Sequence, residues 1–144
     1  MLSELYQEVI LDHGKKPRNF GLMAGCTHSA EGFNTLCGDR VRVYLLMAGD
    51  VVEDVRFEGE GCAICTASAS LMTQMVRGKR IEEVETLFGQ FQTAVTTDGA
   101  DLTGLDELEA LVGVRQYPNR VKCATLAWHA ICAAFGSPVT QEGQ

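Results

Sequence analysis

Between residues 40 and 76 the spacing of apolar side chains changes abruptly, and the change falls on Gly59-Glu60-Gly61. Upstream, Arg40-Val41-Arg42-Val43-Tyr44-Leu45-Leu46 reads as a strand and Met47-Ala48-Gly49-Asp50 as a turn. Val51 to Phe57 reads as a second strand, with Val51, Val55 and Phe57 on one face. Two such runs joined by a short glycine-containing turn form a β-hairpin. Downstream, CAICTASASLMTQMV at residues 62–76 sets Ala63, Ile64, Ala67, Leu71, Met75 and Val76 at helical spacing, and its alanines favour a helix. The small residues Ala63, Ala67, Ser68 and Ala69 allow another element to approach closely. A hairpin with one apolar face, followed at once by a helix with an apolar stripe, buries both only as a layer of helix on sheet.

The remaining segments extend this pattern. Leu2, Leu5, Tyr6, Val9 and Ile10 predict a helix over 3–13, stopped by Gly14. KKPRNFG is a turn with a basic edge, and residues 24–31 predict an edge strand. Residues 81–91 predict a helix with Val84, Leu87, Phe88 and Phe91 inward, and residues 92–103 a loop. Leu105, Leu108, Leu111 and Val112 predict a short helix, Pro118-Asn119 a break, and residues 123–135 a last helix. The expected class is α+β: a small antiparallel three-stranded sheet with helices packed on one face. One domain is expected over 1–136, with a flexible C-terminal tail at 137–144.

Composition narrows the function. The 144 residues are 46% hydrophobic and 22% charged, enough for a core and too apolar for global disorder. The net charge of −7 argues against nucleic-acid binding through phosphates and against a polybasic membrane anchor. No apolar run has the length of a membrane span. The first residues lack the basic region and apolar core of a secretory signal, so a cytoplasmic protein is expected. Residues 43–118 carry 13 acidic and 5 basic side chains, whereas Lys15, Lys16, Arg18, Arg40, Arg42, Arg120 and Lys122 lie in the flanks. Those cations suit an acidic partner or simple solvation.

Six cysteines, Cys26, Cys37, Cys62, Cys65, Cys123 and Cys132, pose the main question. A cytoplasmic setting disfavours three disulfides. Buried small hydrophobes, metal ligands and reactive thiols remain. Cys37, Cys62 and Cys123 sit at element boundaries. Cys62 and Cys123 each open a predicted helix, where orphan N–H groups and the helix dipole favour a thiolate. Asp39 follows Cys37 by two residues across Gly38. Three thiolates and a carboxylate make a tetrahedral zinc set, or a set for an iron–sulfur cluster. The spacing does not exclude unrelated structural cysteines. Cys62-Ala63-Ile64-Cys65 is a CxxC, which admits dithiol exchange, but no βαβ unit precedes it and a buried Cys65 is the simpler reading. Cys26 and Cys132 read as structural. His13, His28 and His129 have no ligand spacing, and no Ser/His/Asp set, HExxH or phosphate loop is present.

Four blocks carry a resemblance over nearly the whole chain: LYQEVILDHGKKPRNFG at 5–21, NTLCGD at 34–39, GEGCAI at 59–64 leading into ASASLMT, and RVKCATLAW at 120–128. They resemble the IscU/NifU-N family of iron–sulfur cluster assembly proteins, and most of all its SufU branch. The resemblance implies Cys37, Asp39, Cys62 and Cys123 as the metal-binding and cofactor-binding residues. It implies Zn2+ as the metal, with a [2Fe–2S] or [4Fe–4S] cluster as the alternative. It further implies a sulfurtransferase role: Cys37 accepts persulfide sulfur from a SufS-like cysteine desulfurase, with Arg120 beside it. The alternative is a transient scaffold on which a cluster is built and passed on. Downstream Fe–S assembly proteins are implied partners, and the protein is expected to be a monomer or weak dimer. Scaffold members carry histidine before the last cysteine; Lys122 here resembles the SufU branch, as does the long stretch at 84–115. Cys65 is a departure, since relatives tend to have serine there.

Overall fold

The computed structural model describes residues 4–35, 37–97 and 99–139. Helix α1 (Glu4–Lys15) leads into three antiparallel strands, β1 (His28–Asn34), β2 (Asp39–Ala48) and β3 (Val51–Glu60), in the order β1-β2-β3. Helices α2 (Ala63–Val76) and α3 (Ile81–Thr96), a 3-10 helix over Asp106–Gln116, and α4 (Pro118–Phe135) follow. Helices cover one face of the sheet, as an α+β chain requires. No described helix is long and apolar enough to cross a membrane.

The hairpin forms where alternation places it. Val41, Val43 and Leu45 of β2 and Val55 and Phe57 of β3 turn into the core. Gly49, at φ +65°, makes the tight turn that a side chain would strain. One expectation slips: Val52 is buried and Val51 is only partly covered. The pairing shifts between Leu46 and Met47, so Glu53 is the extra residue of a bulge, which reverses the facing of the strand before it.

β1 begins later than residues 24–31 predict and runs on through Gly32-Phe33-Asn34, pairing Asn34 with Asp39. Gly32 allows this run to lie against α4, since a Cβ there would stand 3.0 Å from Leu126 Cδ1. Small residues act likewise between α1 and α2, where Gly14 meets Ala63. Trp128 of α4 is fully buried, stacked on Phe88 of α3 and donating its indole N–H to Ser68 of α2. Burying an indole and leaving its N–H paired is the condition under which tryptophan stabilises a core.

Several helix boundaries correct the sequence reading, and the first is that α1 runs through Gly14 to Lys15 and is not stopped there. α3 continues to Thr96 because Ala94 and Val95 extend its buried stripe. α4 starts at Pro118, five residues before the predicted start. Proline at the first helical position has its φ preset and has no N–H to leave unpaired, so the expected break is the helix start.

The outer edge of β3 is occupied. Val52 N–H bonds Lys79 O, Gly78 N–H bonds Val52 O, and Phe57 exchanges hydrogen bonds with Asn19 and Gly21. Along β1, Ser29 N–H bonds Ser137 O and Val139 N–H bonds Thr27 O, so residues 137–139 lie beside the strand. The remainder of the expected tail, 140–144, lies outside the described residues, as does Leu2.

Candidate metal centre

Cys37 and Gly38, the latter at φ +72°, lie directly before β2. Cys37 therefore sits just before the first strand of the hairpin, after the edge strand β1. The Asn34–Asp39 pair closes the loop, and both side chains are buried. Asn34 Nδ2 donates to Asp39 Oδ2 at 3.4 Å and lies 3.6 Å from Cys123 Sγ. Asp39 Oδ1 accepts the backbone N–H of Cys62 at 2.9 Å. A buried carboxylate is thus tied to the hairpin on one side and to the start of α2 on the other, which offsets the cost of taking it out of water.

Gly61 has a specific part in this. A Cβ at that position would lie 2.6 Å from Asp39 Oδ1. The glycine before Cys62 is the space in which the carboxylate sits, beyond being an easy turn.

Among the described residues, Cys37, Asp39 and Cys123 present donor atoms that all lie within 4.8 Å of one another. Sulfurs bound to one tetrahedral zinc at about 2.3 Å are about 3.8 Å apart. The spread therefore suits a common metal after a small inward adjustment, and the donor types suit zinc. Cys62 stands outside this mutual distance. It is the N-cap of α2, half-buried, with Sγ accepting the Cys65 N–H at 3.4 Å. Its sulfur still reaches Cys123, on which it acts together with Asp39 and Cys37.

Cys123 corrects an expectation. It lies in the second turn of α4 and is fully buried. Burial pushes its thiol well above the usual range, and the adjacent Asp39, Cys37 and Cys62 side chains push in the same direction. Burial therefore works against the thiolate that a helix terminus would favour, and a bound cation would offset that cost. The peptide carbonyl of Asn119 meanwhile lies 3.5 Å from Cys123 Sγ and 3.9 Å from Cys37 Sγ. Arg120 is exposed at the rim. Its hydrogen bond to Cys123, then the sulfurs of Cys62, Cys123 and Cys37, raise its already high pKa.

Cys65 is buried, and its thiol is pushed up to about 12 by desolvation and then by Asp39, Cys62 and Cys37. Cys132 is raised to about 11, also by burial, with Glu85 adding. Lys122 is exposed and, as a cation, offers no lone pair to a metal. Of the histidines, His13 is buried against Ser70 Oγ at 2.7 Å, and His129 lies edge-on to Phe88.

Three participants carried no role in the sequence reading: Asn34, Gly61 and the Asn119 carbonyl. Asn34 could have been found from the hairpin, because a polar residue on the inward side of a strand needs a buried partner. A backbone carbonyl leaves no trace in residue type.

The chain matches the family model for the NifU-like N terminal domain over residues 5–137. It is 44% identical over 133 residues to the zinc-dependent sulfurtransferase SufU of Bacillus subtilis, covering 90% of this chain and 88% of that protein. It is 39% identical to the iron-sulfur cluster assembly scaffold protein IscU of Streptococcus pyogenes, over 93% and 84% of the two chains. Among solved structures, a crystal structure of a hypothetical protein superposes with a TM-score of 0.86 at 38% identity, over 94% and 99% of the two chains. The four sequence blocks, the sheet order and the cysteine–aspartate cluster agree with these likenesses: the chain belongs to the IscU/NifU-N family, on its SufU branch.

Proposed function

We propose that this iron–sulfur cluster assembly protein binds zinc through Cys37, Asp39, Cys62 and Cys123 and accepts persulfide sulfur from a cysteine desulfurase. The observation that carries the reading is the mutual approach of Cys37, Asp39 and Cys123 from a hairpin loop, a strand and a helix remote in sequence. The likeness to the Bacillus sulfurtransferase supports it. Lys122 supports it too, since that position brings no ligand of its own to a cluster.

Zinc, when bound, would hold the sulfurs as thiolates and fix the loops that bear them. Everything else is done by the chain. Cys37 is only partly buried and sits on a short turn, whereas Cys123 is sealed in the core. Cys37 is thus the sulfur an incoming persulfide can reach. Its thiolate attacks the outer sulfur of the desulfurase persulfide. A new S–S bond forms on Cys37 as the desulfurase S–S bond breaks, and the desulfurase cysteine leaves as a thiolate. Arg120, exposed beside the sulfurs, pairs with the anionic sulfur before and after transfer. Asp39, held by Asn34 and the Cys62 N–H, keeps one oxygen donor in place while Cys37 is engaged.

The test is desulfurase turnover with and without the protein. The wild type should stimulate alanine release, and Cys37→Ala should not. Full stimulation by that variant would overturn the reading. An anaerobically purified sample with visible charge-transfer absorption would assign the same ligands to a cluster; a colourless protein holding zinc accords with sulfur transfer.

A further inference from the structure

Cys65 is a buried thiol that the acceptor chemistry leaves unused, and its surroundings do not resemble those of an isolated core cysteine. Its backbone N–H caps onto Cys62 Sγ at 3.4 Å, so the Cys62 side chain is curled back over the first turn of α2, toward the residue three positions on. Cys62 is among the groups that act on the Cys65 thiol. Residues three apart at a helix start are neighbours with Cβ atoms about 5–6 Å apart, and a disulfide needs about 3.5–4.5 Å between them, so closure asks the first residue to move in by about 1–2 Å. Cys62 keeps extended backbone angles as the N-cap, so its side chain can swing without unwinding the helix. The pair is also asymmetric: Cys62 is partly open, whereas Cys65 is 3% exposed.

We propose that Cys62 and Cys65 are a reversible dithiol–disulfide couple that small-molecule disulfides close, and that closure withdraws Cys62 from the metal donors. The second part rests on the reading of Cys62 as a ligand; the first does not.

The exchange balances in two steps. The Cys62 thiolate attacks a disulfide RSSR, forming Cys62–S–SR and releasing RS⁻. The Cys65 thiol gives its proton to the released RS⁻, and its sulfur attacks the Cys62 sulfur of the mixed disulfide. The Cys62–Cys65 bond forms and a second RS⁻ leaves. Two thiols are oxidised and one RSSR is reduced to two thiols. Exposure sets the order, since only Cys62 can meet the reagent, and burial of Cys65 keeps it as the resolving group.

The experiment treats the metal-free full chain with oxidised glutathione and maps the products by mass spectrometry without reduction. The wild type should give a peptide with Cys62 joined to Cys65 and no lasting glutathione adduct at Cys62, reversed by dithiothreitol. Cys65→Ser should instead keep the adduct, and Cys65→Ala serves if the serine variant does not fold. Pairing of Cys62 with Cys37 or Cys123, or a stable wild-type adduct, overturns the proposal. A second arm measures zinc retention of the oxidised wild type, expected to fall about tenfold against the same protein after reduction with dithiothreitol. A crosslink without loss of zinc would overturn withdrawal of Cys62 while leaving the couple itself standing.

Discussion

The starts of α2 and α4 each bring a cysteine to the site, and they do so in opposite ways. Cys62 caps its helix, is partly open, and borrows order from a backbone N–H that Asp39 accepts. Cys123 sits in the second turn, shut in the core between Asn34 and the Asn119 carbonyl. One sulfur is placed by the helix terminus and the other by packing. The same residue type therefore has two chemistries here. The capped thiol is partly open to solvent, whereas burial opposes ionisation of the other. The pair thus sets one sulfur fixed by packing beside one left open at a helix end.

Asp39 is common to both ends, so its removal should have the largest effect. Asp39→Ala leaves the Cys62 N–H and the Asn34 amide without their acceptor. We expect zinc to be stripped by a chelator that leaves the wild type loaded, and urea unfolding to report a loss of about 1–3 kcal/mol. Unchanged metal content would remove Asp39 from the donors. Gly61→Ala strikes the α2 side first, because its methyl group would lie 2.6 Å from the Asp39 oxygen that accepts the Cys62 N–H. Zinc affinity should fall about 10–100-fold in a competition titration, with Cys123 still buried. Asn34→Ala acts on the α4 side. It removes the donor shared by Asp39 and Cys123, and should weaken zinc by about tenfold while costing about 1 kcal/mol. If Gly61→Ala and Asn34→Ala weaken zinc identically and by the same spectroscopic change, the two ends are not distinct.

The smallest effect concerns the tie between α1 and α2. Burial, and then Arg18, hold His13 below its ordinary 6.5, with Glu107 and Asp12 opposing. The folded protein thus favours the neutral ring, and the unfolded chain binds the proton more readily. His13 adds stability above pH 6.5 that is lost as pH falls through its folded value. Stability measured by urea titration should decline below pH 6.5, and His13→Gln should flatten that part of the profile.

The hairpin and α2 were legible because each buries a stripe that its period writes into the sequence. The bulge at Glu53 was not, because a single extra residue leaves the composition of a strand unchanged. Pro118 misled for a different reason: the same φ restriction that breaks a helix interior starts a helix well. At the site, the blocks around Cys37 and Cys123 lie far apart in sequence, and the structure brings Cys37, Asp39 and Cys123 together. The unequal placement of Cys62 and Cys123 depended on where α4 begins, which the sequence reading had set five residues late.

The occupied edge of β3 has a consequence for how this molecule meets others. An open strand edge invites a foreign strand to continue the sheet, which is how many proteins recruit extended peptides and how some go on to polymerise. With Val52 and Phe57 already committed to neighbouring segments, a visitor on that side would have to displace existing bonds before making its own. Recognition there falls to side chains, and fibril growth from that edge is denied its template.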